Sequence, residues 1–161
     1  MENQGAETTN IGSPLGFHEA KLDDKGRIKL PTDFQQFFAA MGVSQFFVTS
    51  LDCLIASIYT ISAWRETEAF LEDCPAEPEK ADLALFNGNY YGATSDLDTQ
   101  GRLLLPAKLR RQLGIENQAV QLKAYGKRVD IFSESMCSER REAGKLGGRQ
   151  AVLDLRKVGL K

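Results

Sequence analysis

The sequence predicts an α+β domain built from two ββαββ repeats that form one pseudo-twofold unit, with helices between and after the repeats. Three observations carry that expectation. The segment Leu22-Asp23-Asp24-Lys25-Gly26-Arg27-Ile28-Lys29-Leu30-Pro31 returns 75 positions later as Leu97-Asp98-Thr99-Gln100-Gly101-Arg102-Leu103-Leu104-Leu105-Pro106. Asp, Gly, Arg and Pro keep one register while the apolar positions drift between Ile and Leu, the mark of two copies with the same turn chemistry. Each copy is followed by an apolar run of helical period that ends at a glycine, and then by two strand-like runs. Finally, a unit below about 60 residues buries too little surface to stand alone, so the copies must share one core or interleave their strands.

Residues 1–16, rich in Asn, Thr, Gly and Ser, have neither the basic start nor the apolar centre of a signal peptide and are expected to form a flexible arm. The first repeat spans 17–64. Asp23 can accept backbone N–H groups just downstream, and Gly26 can take a positive φ, so the tetrad closes one strand and opens the next. Ile28 and Leu30 alternate with Lys29, and Pro31 opens a helix carrying Phe34, Phe37, Phe38 and Met41, with Gly42 at its end. Strands are expected at about Gln45 to Ser50 and Leu54 to Thr60. The connector, 65–88, reads as one or two amphipathic helices with Trp64, Phe70, Leu71, Leu83, Leu85 and Phe86 apolar, broken between Cys74-Pro75 and Pro78.

The second repeat, 89–138, follows the same plan. Tyr90 and Tyr91 are expected to start its first strand, Asp98 and Gly101 form its turn, and Leu103 and Leu105 flank Leu104. Pro106 opens a helix with Leu109 and Leu113 that ends at Gly114. Strands at about Ala119 to Ala124 and Arg128 to Ser133 complete it. The remainder, 139–161, is a basic tail.

Composition narrows the function. With 42% hydrophobic and 26% charged residues the chain reads as an ordinary globular protein with no membrane partner and no apolar run long enough to span one. Cys53, Cys74 and Cys137 are odd in number and far apart, which fits reduced thiols in a cytoplasm better than a disulfide frame or a zinc site. The net charge of −2 hides a strong asymmetry: from Glu139 onward seven basic residues face three acidic ones, a net +4, leaving −6 for the rest. The acids crowd the connector, whereas the second repeat gathers Arg102, Lys108, Arg110, Arg111, Lys123, Lys127 and Arg128. Contact with phosphates follows such local fields rather than the total.

The twice-repeated Asp-x-x-Gly-Arg, strand and Pro, with Tyr91-Gly92-Ala93 before the second copy and Pro106-Ala107-Lys108-Leu109-Arg110 after it, resembles the MraZ family over about Phe17 to Glu139. The resemblance implies bacterial transcriptional regulators of tandem SpoVT-AbrB repeats, a double-hairpin, barrel-like domain, and an association with the division and cell-wall gene cluster. It further implies a homo-oligomeric ring that presents Asp-x-x-x-Arg hairpins to direct repeats in promoter DNA, in the cytoplasm and at the nucleoid. Carried onto this sequence, the DNA-binding residues are Arg27 and Arg102, joined by Lys25, Lys29 and Arg110. Asp23, Asp98, Gly26 and Gly101 position the motif. The chain departs from the family pattern in its longer polar start with Phe17-His18-Glu19, in Gln35 where an Arg is common, and in the acidic Glu79-Lys80-Ala81-Asp82 before the second copy.

Other readings stand beside this one. Asp and Arg four residues apart can simply pair with each other, and an Asp that orients an Arg can also prepare it for a phosphate or a guanine edge. An AbrB-like interaction or scaffold module without DNA binding is the alternative function. Enzymatic chemistry finds no support: His18 is the only histidine and reads as a surface residue, and Gly144 to Gly148 lacks the phosphate-loop pattern. No cofactor, metal or small-molecule substrate is implied.

Overall fold

The computed structural model describes residues 12–161, so most of the expected N-terminal arm lies outside the described residues. Its elements are β1 (Phe17–Lys21), β2 (Arg27–Lys29), α1 (Thr32–Ala40), β3 (Gln45–Thr49), β4 (Ala56–Thr60), α2 (Ile61–Glu72), α3 (Pro78–Tyr91), β5 (Ala93–Asp96), β6 (Arg102–Leu104), α4 (Ala107–Leu113), β7 (Ala119–Tyr125), β8 (Arg128–Phe132) and α5 (Glu134–Lys157). The class is α+β, with every strand pair antiparallel.

Six strands form one sheet in the order β1-β7-β8-β4-β3-β5, and β2 pairs with β6 in a separate two-stranded ribbon. Sequence neighbours are therefore not always partners: β1 lies on β7 and β5 on β3, so strands from the two halves of the chain interleave in one sheet. The alternating pattern of Ile28 and Leu103 explains why the ribbon sits where it does. Both are fully buried on one face of the ribbon and join a single core with Leu22, Leu30, Phe34, Phe38, Phe46, Ile58, Leu105, Leu109, Leu122 and Ile131. Burying side chains of this size contributes roughly 1.5–3 kcal/mol each, and neither half of the chain supplies the cluster alone.

The connector helices pack as a second layer. Thr60 caps α2 by accepting the Ala63 amide at 3.1 Å, and Trp64 stacks on Phe47 with ring centroids 4.6 Å apart. Gly88 lets α3 approach: a Cβ there would collide with Trp64, and the Thr49 hydroxyl donates to the Gly88 carbonyl at 2.6 Å.

One expectation is corrected. Tyr90 and Tyr91 end α3 rather than starting a strand, and Gly92 begins the extended chain. Tyr90 is held there by a stack on Phe86 and by the Lys108 ammonium over its ring. The helix expected after the repeats is α5, which takes in the basic tail and is capped by Ser133 accepting the Met136 amide at 3.2 Å. His18 lies partly exposed at the surface, its Nε2 near the Leu15 carbonyl at 2.9 Å and its ring edge-on to Phe34.

Candidate nucleic-acid interface

The two Asp-x-x-x-Arg segments fold into the same turn. Asp23 Oδ1 accepts the amides of Lys25 and Arg27, both at 2.9 Å, while Oδ2 accepts Arg27 Nε at 2.9 Å. Asp98 repeats the pattern with Gln100 at 2.9 Å, the Arg102 amide at 2.8 Å and Arg102 Nε at 3.0 Å. Gly26 and Gly101 sit in these turns at φ 79° and 78°, a region closed to β-branched residues. Each carboxylate thus does two tasks: it closes the turn through backbone amides and it aims an arginine. Only Nε is used, so both terminal nitrogens of each guanidinium stay free of the carboxylate.

The ribbon then gathers what the sequence places 75 residues apart. Arg27 stands opposite Leu104, Ile28 opposite Leu103, and Lys29 opposite Arg102. With Ile28 and Leu103 turned into the core, period-two alternation puts Arg27, Lys29, Arg102 and Leu104 together on the outer face. Arg27 and Arg102 are partly screened, at 27% and 29% side-chain exposure, whereas Leu104 is 51% exposed. Lys25 lies in the first turn beside this face. Like charges directly opposite each other on a ribbon disfavour pairing, and Lys29 stands opposite Arg102, whose charge the Asp98 ion pair offsets in part. A two-stranded ribbon is also narrow enough to enter the major groove of B-DNA.

Arg110 occupies a different place from the other expected contacts. Its Nε donates to the Leu105 carbonyl at 3.0 Å and its Nη1 to Glu116 Oε1 at 2.6 Å, and only 15% of the side chain is exposed. Two residues on this surface escaped the sequence reading. Leu104 looked like one more core leucine, and only its register opposite Arg27 reveals an outward position. Gln35, noted only as a departure from a family pattern, donates its Nε2 to the Leu30 carbonyl at 2.6 Å. Away from the ribbon, α5 carries Arg141, Lys145, Arg149 and Arg156 at spacings that share one exposed face, and none of its residues is buried. No cluster of metal-binding side chains occurs among the described residues, and none of their helices is long and apolar enough to cross a membrane.

Comparison with known proteins gives this geometry a family. Residues 91–135 match the MraZ family model, described as "MraZ protein, putative antitoxin-like". A transcriptional regulator MraZ of Acidobacterium capsulatum is 38% identical over 105 residues, covering 65% of this chain and 72% of that protein. That of Moorella thermoacetica is 34% identical over 128 residues, covering 78% of this chain and 84% of the relative. The chain belongs to the MraZ family. A more distant member, the transcriptional regulator MraZ of Syntrophomonas wolfei, is 28% identical over 153 residues and extends the match to 91% of this chain and 99% of its own.

In this MraZ-family chain the turn carboxylates also set a pH limit. Hydrogen bonds from the backbone amide of Arg27, with those from Lys25 and the Arg27 side chain, hold the Asp23 carboxyl below the usual aspartate range, and Arg102 and Gln100 do the same for Asp98. A carboxyl depressed in the folded state stabilises that state above its unfolded pKa and loses the contribution as pH falls through the folded value. The turns should therefore be fully formed at neutral pH and loosen together below about pH 4. Amide chemical shifts of Lys25, Arg27, Gln100 and Arg102 followed on acidification check this; turns that loosen already above the usual aspartate range contradict it.

Proposed function

We propose that this chain is a DNA-binding transcriptional regulator of the MraZ type, with two AbrB-like ββαββ repeats arranged about a pseudo-twofold axis, and that the β2–β6 ribbon is its DNA-reading surface. The observation that carries the reading is the outer face of that ribbon, where Arg27, Lys29 and Arg102 converge although Lys29 and Arg102 repel each other. Arg27 and Arg102, oriented by Asp23 and Asp98, have the free guanidinium nitrogens needed for a guanine edge or a phosphate. Lys25 and Lys29 supply phosphate contacts, and Leu104 lies where an apolar side chain can meet a thymine methyl. Arg110 takes a supporting part, argued below.

Assembly strengthens such a surface. Leu83, Phe86 and Tyr90 lie along one exposed face of α3, and Phe70 on α2 is exposed as well. Apolar side chains grouped in this way favour a partner, and the family resemblance favours a ring of identical subunits on direct promoter repeats of the division and cell-wall cluster. Light scattering should give a closed assembly larger than a dimer; a monomer at micromolar concentration would remove the ring and its avidity.

The deciding experiment is a salt titration of DNA binding, using duplexes selected from fragmented genomic DNA. Release of counterions makes log affinity fall linearly with log salt, with a slope near −0.9 per phosphate neutralised. A steep slope and a recurrent selected sequence support the reading. A second reading, an interaction module that no longer binds DNA, is favoured by the same apolar helix face together with the acidic connector. It predicts a weak salt response and no selected sequence.

The basic face of α5 belongs to the first reading in a secondary part. Removing residues 144–161 should weaken binding to selected and random DNA by a similar factor, because Lys and Arg along a helix touch phosphates and read no bases. A loss confined to the selected duplex would contradict this.

A further inference from the structure

We propose that Arg110 and Gln35 are positioning residues for the two Asp-x-x-x-Arg turns, each bracing the turn of the opposite half of the chain. What the turns are for rests on the DNA-binding reading above; the brace itself does not. Arg110 follows Gln35 by 75 positions, so the two residues hold equivalent places after Pro31 and Pro106.

Their contacts cross. The Leu105 amide donates to the Gly26 carbonyl at 3.0 Å, the Leu105 carbonyl accepts Arg110 Nε at 3.0 Å, and the Arg110 guanidinium lies directly against Gly26. On the other side, the Leu30 amide donates to the Gly101 carbonyl at 2.9 Å and the Leu30 carbonyl accepts Gln35 Nε2 at 2.6 Å. There the Gln35 amide lies against Gly101. Each set forms a closed circuit of turn glycine, strand end and helix side chain. In each, the turn comes from one half of the chain and the strand end and helix from the other. A Cβ at either glycine would overlap the bracing side chain, so glycine is required here for space as well as for φ.

Gln35 makes its circuit without a charge, and Arg110 spends its charge on Glu116, so the common requirement is a flat polar group that can donate to a carbonyl. Such a brace fixes where Arg27 and Arg102 stand, because Asp23 and Asp98 lie three residues before the braced glycines. It also ties the two turns together, since Leu105 directly follows the strand that begins at Arg102, and Leu30 directly follows the strand that begins at Arg27.

The test compares Arg110→Ala, Arg110→Lys, Arg110→Gln and Gln35→Ala in the full chain, by amide hydrogen exchange and by binding to one selected duplex well below melting. Arg110→Ala should speed exchange at Lys25, Gly26 and Arg27 by about three- to tenfold, the worth of an ordinary hydrogen bond, and leave Gln100, Gly101 and Arg102 unchanged. Gln35→Ala should do the reverse. Affinity for the duplex should fall by a similar factor with an unchanged salt slope, whereas losing a direct phosphate contact takes about one from the slope. Gln at 110 should restore both properties, and Lys, which keeps the charge but has no planar face, should not.

The brace is overturned if a variant loosens the turn of its own half, if Lys rescues and Gln does not, or if the slope drops by about one. Should Arg110→Ala fail to fold, the Lys and Gln variants decide by the same criteria. Arg27→Ala in the same series separates the two ideas: undiminished DNA binding there refutes the DNA-reading role of the ribbon, while the crossed exchange pattern still decides the brace.

Discussion

Valine at Gly26 or Gly101 should destabilise the protein by about 3 kcal/mol or more, through two separable costs. A β-branched residue held at φ near 79° carries roughly 1–3 kcal/mol of backbone strain. Its side chain also has to displace the Arg110 guanidinium at Gly26, or the Gln35 amide at Gly101, and overpacking of this kind adds about 1–3 kcal/mol. For a chain of 161 residues that corresponds to a fall in melting temperature of roughly 10 °C. Gly42 is the internal control, because it has φ 70° but open space where its Cβ would point. Alanine at Gly42 should cost only the backbone part, and alanine at Gly26 distinctly more. Thermal melts of the three alanine variants measure the difference; equal losses at all three positions would mean that the bracing side chains move aside freely.

These turns show what the sequence makes legible. The 75-residue repeat of Asp, Gly, Arg and Pro encodes local chemistry, a carboxylate for backbone amides and a glycine for positive φ, and both act within five residues. That chemistry was readable. So were the amphipathic helix carrying Phe34, Phe37 and Phe38 and the break before Pro78, since period and proline are local signals. Tyr90 and Tyr91 misled because two aromatics favour a strand in isolation, whereas here Tyr90 stacks on Phe86 one helical turn back and is held by a tertiary contact with Lys108.

The site was half legible for the same reason. Arg27 and Arg102 are named by their motifs, but their convergence on one face comes from pairing between β2 and β6, which no local pattern specifies. Leu104 and Arg110 show the limit most clearly. One is a leucine in an apolar triplet that faces outward, and the other is an arginine in a basic cluster that faces a glycine from the other half of the chain. Only the register opposite Arg27 and the crossed approach to Gly26 distinguish them.

The ribbon cations should separate binding from stability, and Lys29 should do so with opposite signs. Replacing Arg27 or Arg102 with Ala leaves Asp23 and Asp98 bonded to backbone amides, so each turn keeps the hydrogen bonds that close it. The lost ion pair is partly exposed and screened by solvent, so it contributes little to stability. Melting and assembly mass should therefore change little, while DNA affinity falls by about 1–3 kcal/mol for each contact that reads a base. In an oligomer engaging several repeats the losses compound, so one defect per subunit can abolish binding altogether. Lys29→Ala removes the cation facing Arg102 across the ribbon and should stabilise the fold by roughly 0.2–1 kcal/mol while weakening DNA binding and flattening its salt slope. A residue kept for structure cannot give that combination. Melting curves, assembly mass and salt-dependent affinity for the three variants decide the matter: early melting with normal binding by the folded fraction would make the arginines structural and remove the ribbon as the reading surface.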